Sequence, residues 1–94
     1  MFRYRKSVPL SQDQQGYIYY FSRLYKKLQE ADRAFIRKLC RRAGGTNWKA
    51  VLDLVTGKMT IREACTWHYI SPSTLDRAVR QYYREFGNVW EDRK

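Results

Sequence analysis

Apolar side chains recur along this chain at three- and four-residue intervals, and strand-like alternation is absent, so the pattern predicts amphipathic helices alone. The first stripe, Tyr17, Ile18, Phe21, Leu24, Tyr25 and Leu28, belongs to a helix opened by Ser11 or Asp13, with Gly16 weakening its first turns. A second stripe, Phe35, Ile36, Leu39, Cys40 and Ala43, continues nearly in phase. No Pro or Gly separates the two, so residues 11–43 read as one long helix or as two. A break near Gln29–Asp32 is favoured, because Asp32 can cap a new helix and a compact domain gains from folding back. Gly44-Gly45, following Arg41-Arg42, marks a helix end. Thr46 or Asn47 then caps a helix with Trp48, Val51, Leu52 and Val55 on one face, and Gly57 stops it.

The stretch from Thr60 to Phe86 carries the most information. Thr60 can cap a short helix over residues 61–69, with Glu63 three residues on completing a capping box. Ser71 can cap a second, and Pro72 then falls at the first helical position, where its missing N–H costs nothing. Ile70, Leu75, Ala78, Val79, Tyr82 and Phe86 form one apolar stripe, while Ser73, Asp76, Arg77, Arg80 and Arg84 occupy the other side. A helix over 72–86 that buries one face and offers small polar groups plus arginine on the other suits the DNA major groove. Gly87 is expected to end it, leaving residues 88–94 as a tail whose Val89 and Trp90 fold back on the core or cover a symmetric partner.

This segment resembles the helix-turn-helix of sigma-factor-like and resolvase-like regulators. In those families a small residue, an apolar residue and a glycine precede a Val-Ser-x-x-Thr-Val run. Here Cys65 takes the small position, Ile70-Ser71 the Val-Ser pair and Thr74-Leu75 the Thr-Val pair. Two positions depart: His68 stands where an apolar residue is usual, and Tyr69 where glycine supplies the left-handed turn. Tyrosine adopts positive φ only at a cost, so a longer or differently shaped turn is expected. The resemblance covers about a quarter of the chain. The stripes and the absence of strand-like alternation give an all-α class: the helices over 46–57, 61–69 and 72–86 form a C-terminal trihelical unit over 46–87, preceded by a basic helical part over 11–45, and 94 residues suit one domain. In size, basicity and composition the chain is also similar to small regulators of phages and mobile elements.

Charge adds a polyanion to the picture. The net charge is +10 with a pI near 10.0. Residues 1–45 hold 11 Lys/Arg against 3 acids, and residues 46–94 hold 8 against 6, so most of the positive charge precedes the reading unit. A division of labour follows: the N-terminal half grips phosphates and the C-terminal half discriminates bases. The base-reading candidates are Ser73, Thr74, Asp76, Arg77 and Arg80, since arginine makes paired hydrogen bonds to guanine and aspartate accepts from cytosine. The phosphate candidates are Arg3, Arg5 and Lys6 in an arm over residues 1–10; Lys26, Lys27, Arg37, Lys38, Arg41 and Arg42; and Thr60, Arg62, Ser71 and Arg84. Such an arm enters a minor groove or frays, and the two readings weigh equally. Ordinary capping and solvated charged faces are the plainer alternative for several of these groups.

Other chemistry finds no constellation. Cys65 and His68 lie three apart on one helix, with a single histidine in the chain and no Cys-x-x-Cys, so a small core residue and a partly buried polar one are expected there, not zinc ligands or a nucleophile pair. No nucleotide-binding fingerprint is present. The N-terminus lacks a signal peptide's apolar core and no run approaches the ~20 apolar residues of a membrane span. The expectations are a cytoplasmic, non-enzymatic protein without cofactor, membrane association or small-molecule substrate, binding double-stranded DNA as a homodimer. The alternatives are a helical module for an acidic protein or RNA, and a packaging or architectural accessory such as a terminase-like small subunit. Tyr19, Tyr20, Trp67 and Tyr69 are the aromatics least committed to a core, and they suit a protein interface.

Overall fold

Among the described residues, three of the helices start at side-chain acceptors. In the computed structural model, which describes residues 2–92 except for the side chains of residues 90–92, helix α1 spans Gln12–Arg23. The Ser11 hydroxyl accepts from the Gln14 N–H at 3.1 Å, and the Gln14 side chain accepts from the Ser11 N–H at 2.8 Å. The chain then passes through a 3-10 turn, Tyr25–Lys27, and extended Leu28 and Gln29 into α2, Glu30–Gly44. Residues 11–43 are therefore two helices. The break lies a few residues ahead of Asp32, which sits in the first turn of α2, where its charge suits the helix dipole; Gln29 holds the cap position instead.

Gly45, at φ 56°, ends α2, and a second 3-10 turn, Gly45–Asn47, feeds into α3, Trp48–Val55. Asn47 precedes α3 without a side-chain capping bond, because the tight turn runs directly into the helix. Gly57, at φ 80°, reverses the chain. Helix α4, Ile61–His68, opens on the expected capping box, with Thr60 and Glu63 exchanging bonds of 3.2 and 2.9 Å. Tyr69 then takes the left-handed conformation itself, at φ 54°. Tyrosine thus takes the strained position without an added residue: the Ile70 N–H reaches back to the Cys65 carbonyl at 3.1 Å, the closure normally made around glycine. Ser71 caps α5, accepting from the Thr74 N–H at 3.2 Å, with Pro72 as its first residue.

Helix α5 spans Pro72–Asp92 and runs straight through Gly87. The glycine serves packing: a Cβ there would lie 2.8 Å from a methyl of Leu10, so its place is set by the N-terminal segment lying across the helix. Val89 packs against the core, one of the two fates expected for it; the Trp90 side chain lies outside the described residues.

Among the described residues five α-helices enclose one apolar cluster, and α5 touches each of the other four. Tyr82, Ile18, Ile36, Leu39 and Leu75 are its largest fully buried side chains. Phe86 stands edge-on to Tyr17, Phe21, Phe35 and Tyr82, with centroids 5.3–6.3 Å away. Such pairs contribute about 0.5–1.5 kcal/mol each beyond their area. The buried Tyr82 hydroxyl is 2.7 Å from Ser22 Oγ; because Ser22 donates to the Ile18 carbonyl, Tyr82 donates to Ser22. His68 Nε2 lies 2.7 Å from Asp53 Oδ2, tying α4 to α3. No helix of the described residues is long and apolar enough to cross a membrane.

Residues 2–10 are neither frayed nor projecting. Gln15 is fully buried and latches it: its Oε1 accepts from the Arg5 N–H at 2.8 Å, and its Nε2 donates to the carbonyls of Arg5 and Leu10 at 2.9 and 3.1 Å. Val8 is inserted into the core.

Candidate nucleic-acid interface

The geometry of α5 divides the base-reading candidates. At about 100° per residue, Leu75, Val79, Tyr82 and Phe86 point to one side and Ser73, Arg77, Gln81, Arg84 and Asn88 to the other. Ser73, Arg77 and Asn88 are exposed, while Gln81 and Arg84 are half-buried. Thr74 is half-buried, and its hydroxyl accepts from Ser71 at 2.8 Å within the cap.

Asp76 and Arg80 lie on the flank that the N-terminal segment covers. Arg5 Nη1 meets Asp76 Oδ1 at 2.8 Å, and Arg80 binds the other carboxylate oxygen. Ser7 completes the group, accepting from Arg80 Nη1 through its hydroxyl at 3.4 Å and from Arg84 Nη2 through its carbonyl at 3.1 Å. Burial acts to raise the Asp76 carboxyl, but the hydrogen bonds and charges of Arg80 and Arg5 outweigh it and hold the group below its ordinary value. Arg5, expected as a phosphate grip, is thus engaged by α5, and Arg80 is steered by a partner four residues away and by a loop 73 residues away. Sequence carries the i, i+4 spacing of Asp76 and Arg80 but no sign of Arg5, 71 residues distant.

The remaining phosphate candidates fall in separate places. Arg3 and Lys6 are exposed on the docked segment, and Arg62 on the first turn of α4. Thr60 and Ser71 spend their hydroxyl oxygens on caps. Lys26 and Lys27 stand exposed on the turn after α1, lining one concavity with Arg23 and Lys58. On α2, Arg37 is tied to Glu30 and to the Tyr25 hydroxyl, while Lys38, Arg41 and Arg42 are exposed. Arg41 lies 4.5 Å over the Trp48 ring, and Arg42 approaches Glu85 of α5 at 3.9 Å.

Two groups escaped the sequence pattern. Arg23 and Lys58 belong with the cations, yet neither sits in a basic run that would single it out. Of the uncommitted aromatics, Trp67 and Tyr69 are 70% and 96% exposed around the α4–α5 turn, and Tyr20 is 59% exposed, whereas Tyr19 lies beneath the Arg23 guanidinium at 5.2 Å. Cys40 is buried and its thiol is pushed up to about 12 by burial; Cys65 packs against the core edge. Among the described residues, no group of three or more His, Cys, Asp or Glu is arranged to hold a metal ion. Compared with known protein families, curated proteins and solved structures, the chain matches none.

Proposed function

We propose that this protein binds double-stranded DNA with sequence preference and regulates transcription, with α4 and α5 acting as a helix-turn-helix and α5 entering the major groove. The observation that carries this reading is the exposure of Ser73 and Arg77 on the first turns of a helix whose other side is buried. Short side chains at a helix start let the backbone approach base edges, and arginine one turn on reaches guanine. The net charge of +10 supports a polyanionic partner. In this reading Arg77 is the principal base reader, and the Arg5–Asp76–Arg80 group orients Arg80 toward a base or phosphate. Lys26, Lys38, Arg41 and Arg42 grip backbone, and a homodimer supplies the affinity that one short helix lacks.

Duplex binding followed by fluorescence anisotropy over a salt series tests this. Arg77→Ala is expected to remove about 1–3 kcal/mol of discrimination between preferred and scrambled duplexes. Lys26→Ala or Arg41→Ala is expected to weaken all duplexes alike and lower the salt slope by about 1. Binding that is indifferent to sequence, with Arg77→Ala behaving like Lys26→Ala, contradicts the reading. A second reading, a helical interaction module, is favoured by the exposure of Trp67 and Tyr69. It requires Trp67→Ala to abolish partner binding while leaving duplex affinity unchanged.

A further inference from the structure

A concavity of about 480 Å³ opens between the N-terminal segment, α1 and the loop joining α3 to α4. Its apolar lining is buried Val55 and Val79 as a floor, with half-buried Leu54 and Met59 and exposed Ile61, and its cationic lining is Arg3, Arg5, Arg23 and Lys58. Two tyrosines complete it. The Arg23 guanidinium lies 5.2 Å over the Tyr19 ring, and that of Arg5 5.9 Å over Tyr83. Burial pushes the Tyr83 phenol up to about 12.

Three of the four cations are uncompensated. Arg5 has Asp76, but Arg3, Arg23 and Lys58 make no ion pair among the described residues. The one carboxylate at the rim, Glu63, is committed to the Thr60 N–H at 2.9 Å. Gly57 belongs to the construction as well. At φ 80° it turns the chain in a conformation that L side chains rarely adopt, and a Cβ there would lie 2.8 Å from the Arg23 guanidinium carbon, so glycine leaves Arg23 the place it occupies along this wall. Cations converging on a recess without a counter-charge raise the local anion concentration, and a volume in the range of about 300–1,000 Å³ suits a small molecule. A phosphate of a DNA backbone would satisfy the rim and leave the floor bare. An aromatic body bearing one anionic group satisfies both.

We propose that this recess binds a small aromatic anion, a carboxylate or phosphate on a ring system, with the anion held by Arg23 and Lys58 and the ring on the apolar lining at Met59 and Val79. Arg5 belongs to the recess and also to the Asp76 group on α5, so an occupant that draws Arg5 reaches the face assigned to DNA. That coupling rests on the DNA reading, whereas the recess does not.

The test titrates the full chain with 2-naphthoate, with phenyl phosphate and with the neutral 2-naphthalenemethanol, following backbone amides by two-dimensional NMR. The expected result is saturable binding of at least one anion, shifts centred on Arg23, Gly57, Lys58 and Met59, and at least tenfold weaker binding of the neutral analogue. Arg23→Gln with Lys58→Gln, both exposed positions, is expected to weaken the anion at least tenfold while the unliganded spectrum stays dispersed. Lys49→Gln, an exposed position outside the recess, is expected to leave anion binding unchanged. Absence of saturation by both anions, equal affinity for the neutral analogue, or shifts centred on Trp67 and Tyr69 overturns the proposal. Duplex DNA is absent from the experiment, so its failure is distinct from failure of the DNA reading.

Discussion

Tyr69 stands at φ 54° and ψ 48° with 96% of its surface in water, so it holds a left-handed backbone while packing against almost nothing. For an L-residue that conformation costs roughly 1–2 kcal/mol relative to the right-handed one. Glycine carries no such penalty, and its greater freedom when unfolded offsets part of the gain. Tyr69→Gly is therefore expected to stabilise the fold by about 0.5–1 kcal/mol, raising Tm by several degrees in calorimetry. A fall in Tm would show that the ring makes contacts that matter. Asp76 gives a second residue-scale expectation. Its folded-state value lies below the ordinary 3.8. The stabilisation it lends is thus fully present above the unfolded-state value and is lost as pH falls through the folded one. Acid unfolding of Asp76→Asn should be less steep below about pH 4 than that of the native chain, and parallel curves would contradict the Arg5–Asp76–Arg80 assignment.

At the scale of elements, the readable features were local and the unreadable ones were contacts between distant segments. Ser11, the Thr60–Glu63 box and the Ser71–Pro72 start act within one helical turn, and each stands where the sequence spacing puts it. The stripes in residues 11–43 left one helix or two open and favoured a break near Gln29–Asp32; α2 does start from Gln29, but the chain leaves α1 earlier, through the 3-10 turn at Tyr25–Lys27, which carries no Pro or Gly to announce it. Gly87 misled for a related reason. Its local meaning is a helix end, while its actual neighbour is Leu10, some 77 positions earlier, whose approach no periodicity encodes. The latch by Gln15 is equally silent in sequence, as a buried glutamine in an amphipathic helix resembles any polar residue. Gly87→Ala tests the packing account. Helix propensity alone favours alanine by about 1 kcal/mol. The clash with Leu10 is expected to cancel that gain and loosen residues 5–10, seen as faster amide exchange at Val8 and Leu10. A straightforward stabilisation with unchanged exchange would make Gly87 an incidental helix residue.

For the whole molecule, the all-α class was legible because the 3.6-residue period runs through the apolar stripes of residues 17–43, 48–55 and 70–86. The candidate site was legible only in part. Ser73 and Arg77 stand open, as the helical phase of α5 requires, whereas the engagement of Asp76 and Arg80 by Arg5 and Ser7 depends on how the N-terminal segment folds back. The basic candidates are distributed over the docked segment, the turn after α1 and the exposed end of α2, a spread that suits wrapping a curved polyanion better than filling one pocket. The claim on which this account turns is that α5 reads base edges. Selection of bound duplexes from a random library, at moderate salt and with the full chain, tests it most directly. The expected result is an enriched motif with two related half-sites, lost when Arg77 is replaced by alanine. A bound pool with no enriched sequence, or enrichment unaltered by Arg77→Ala, would contradict it.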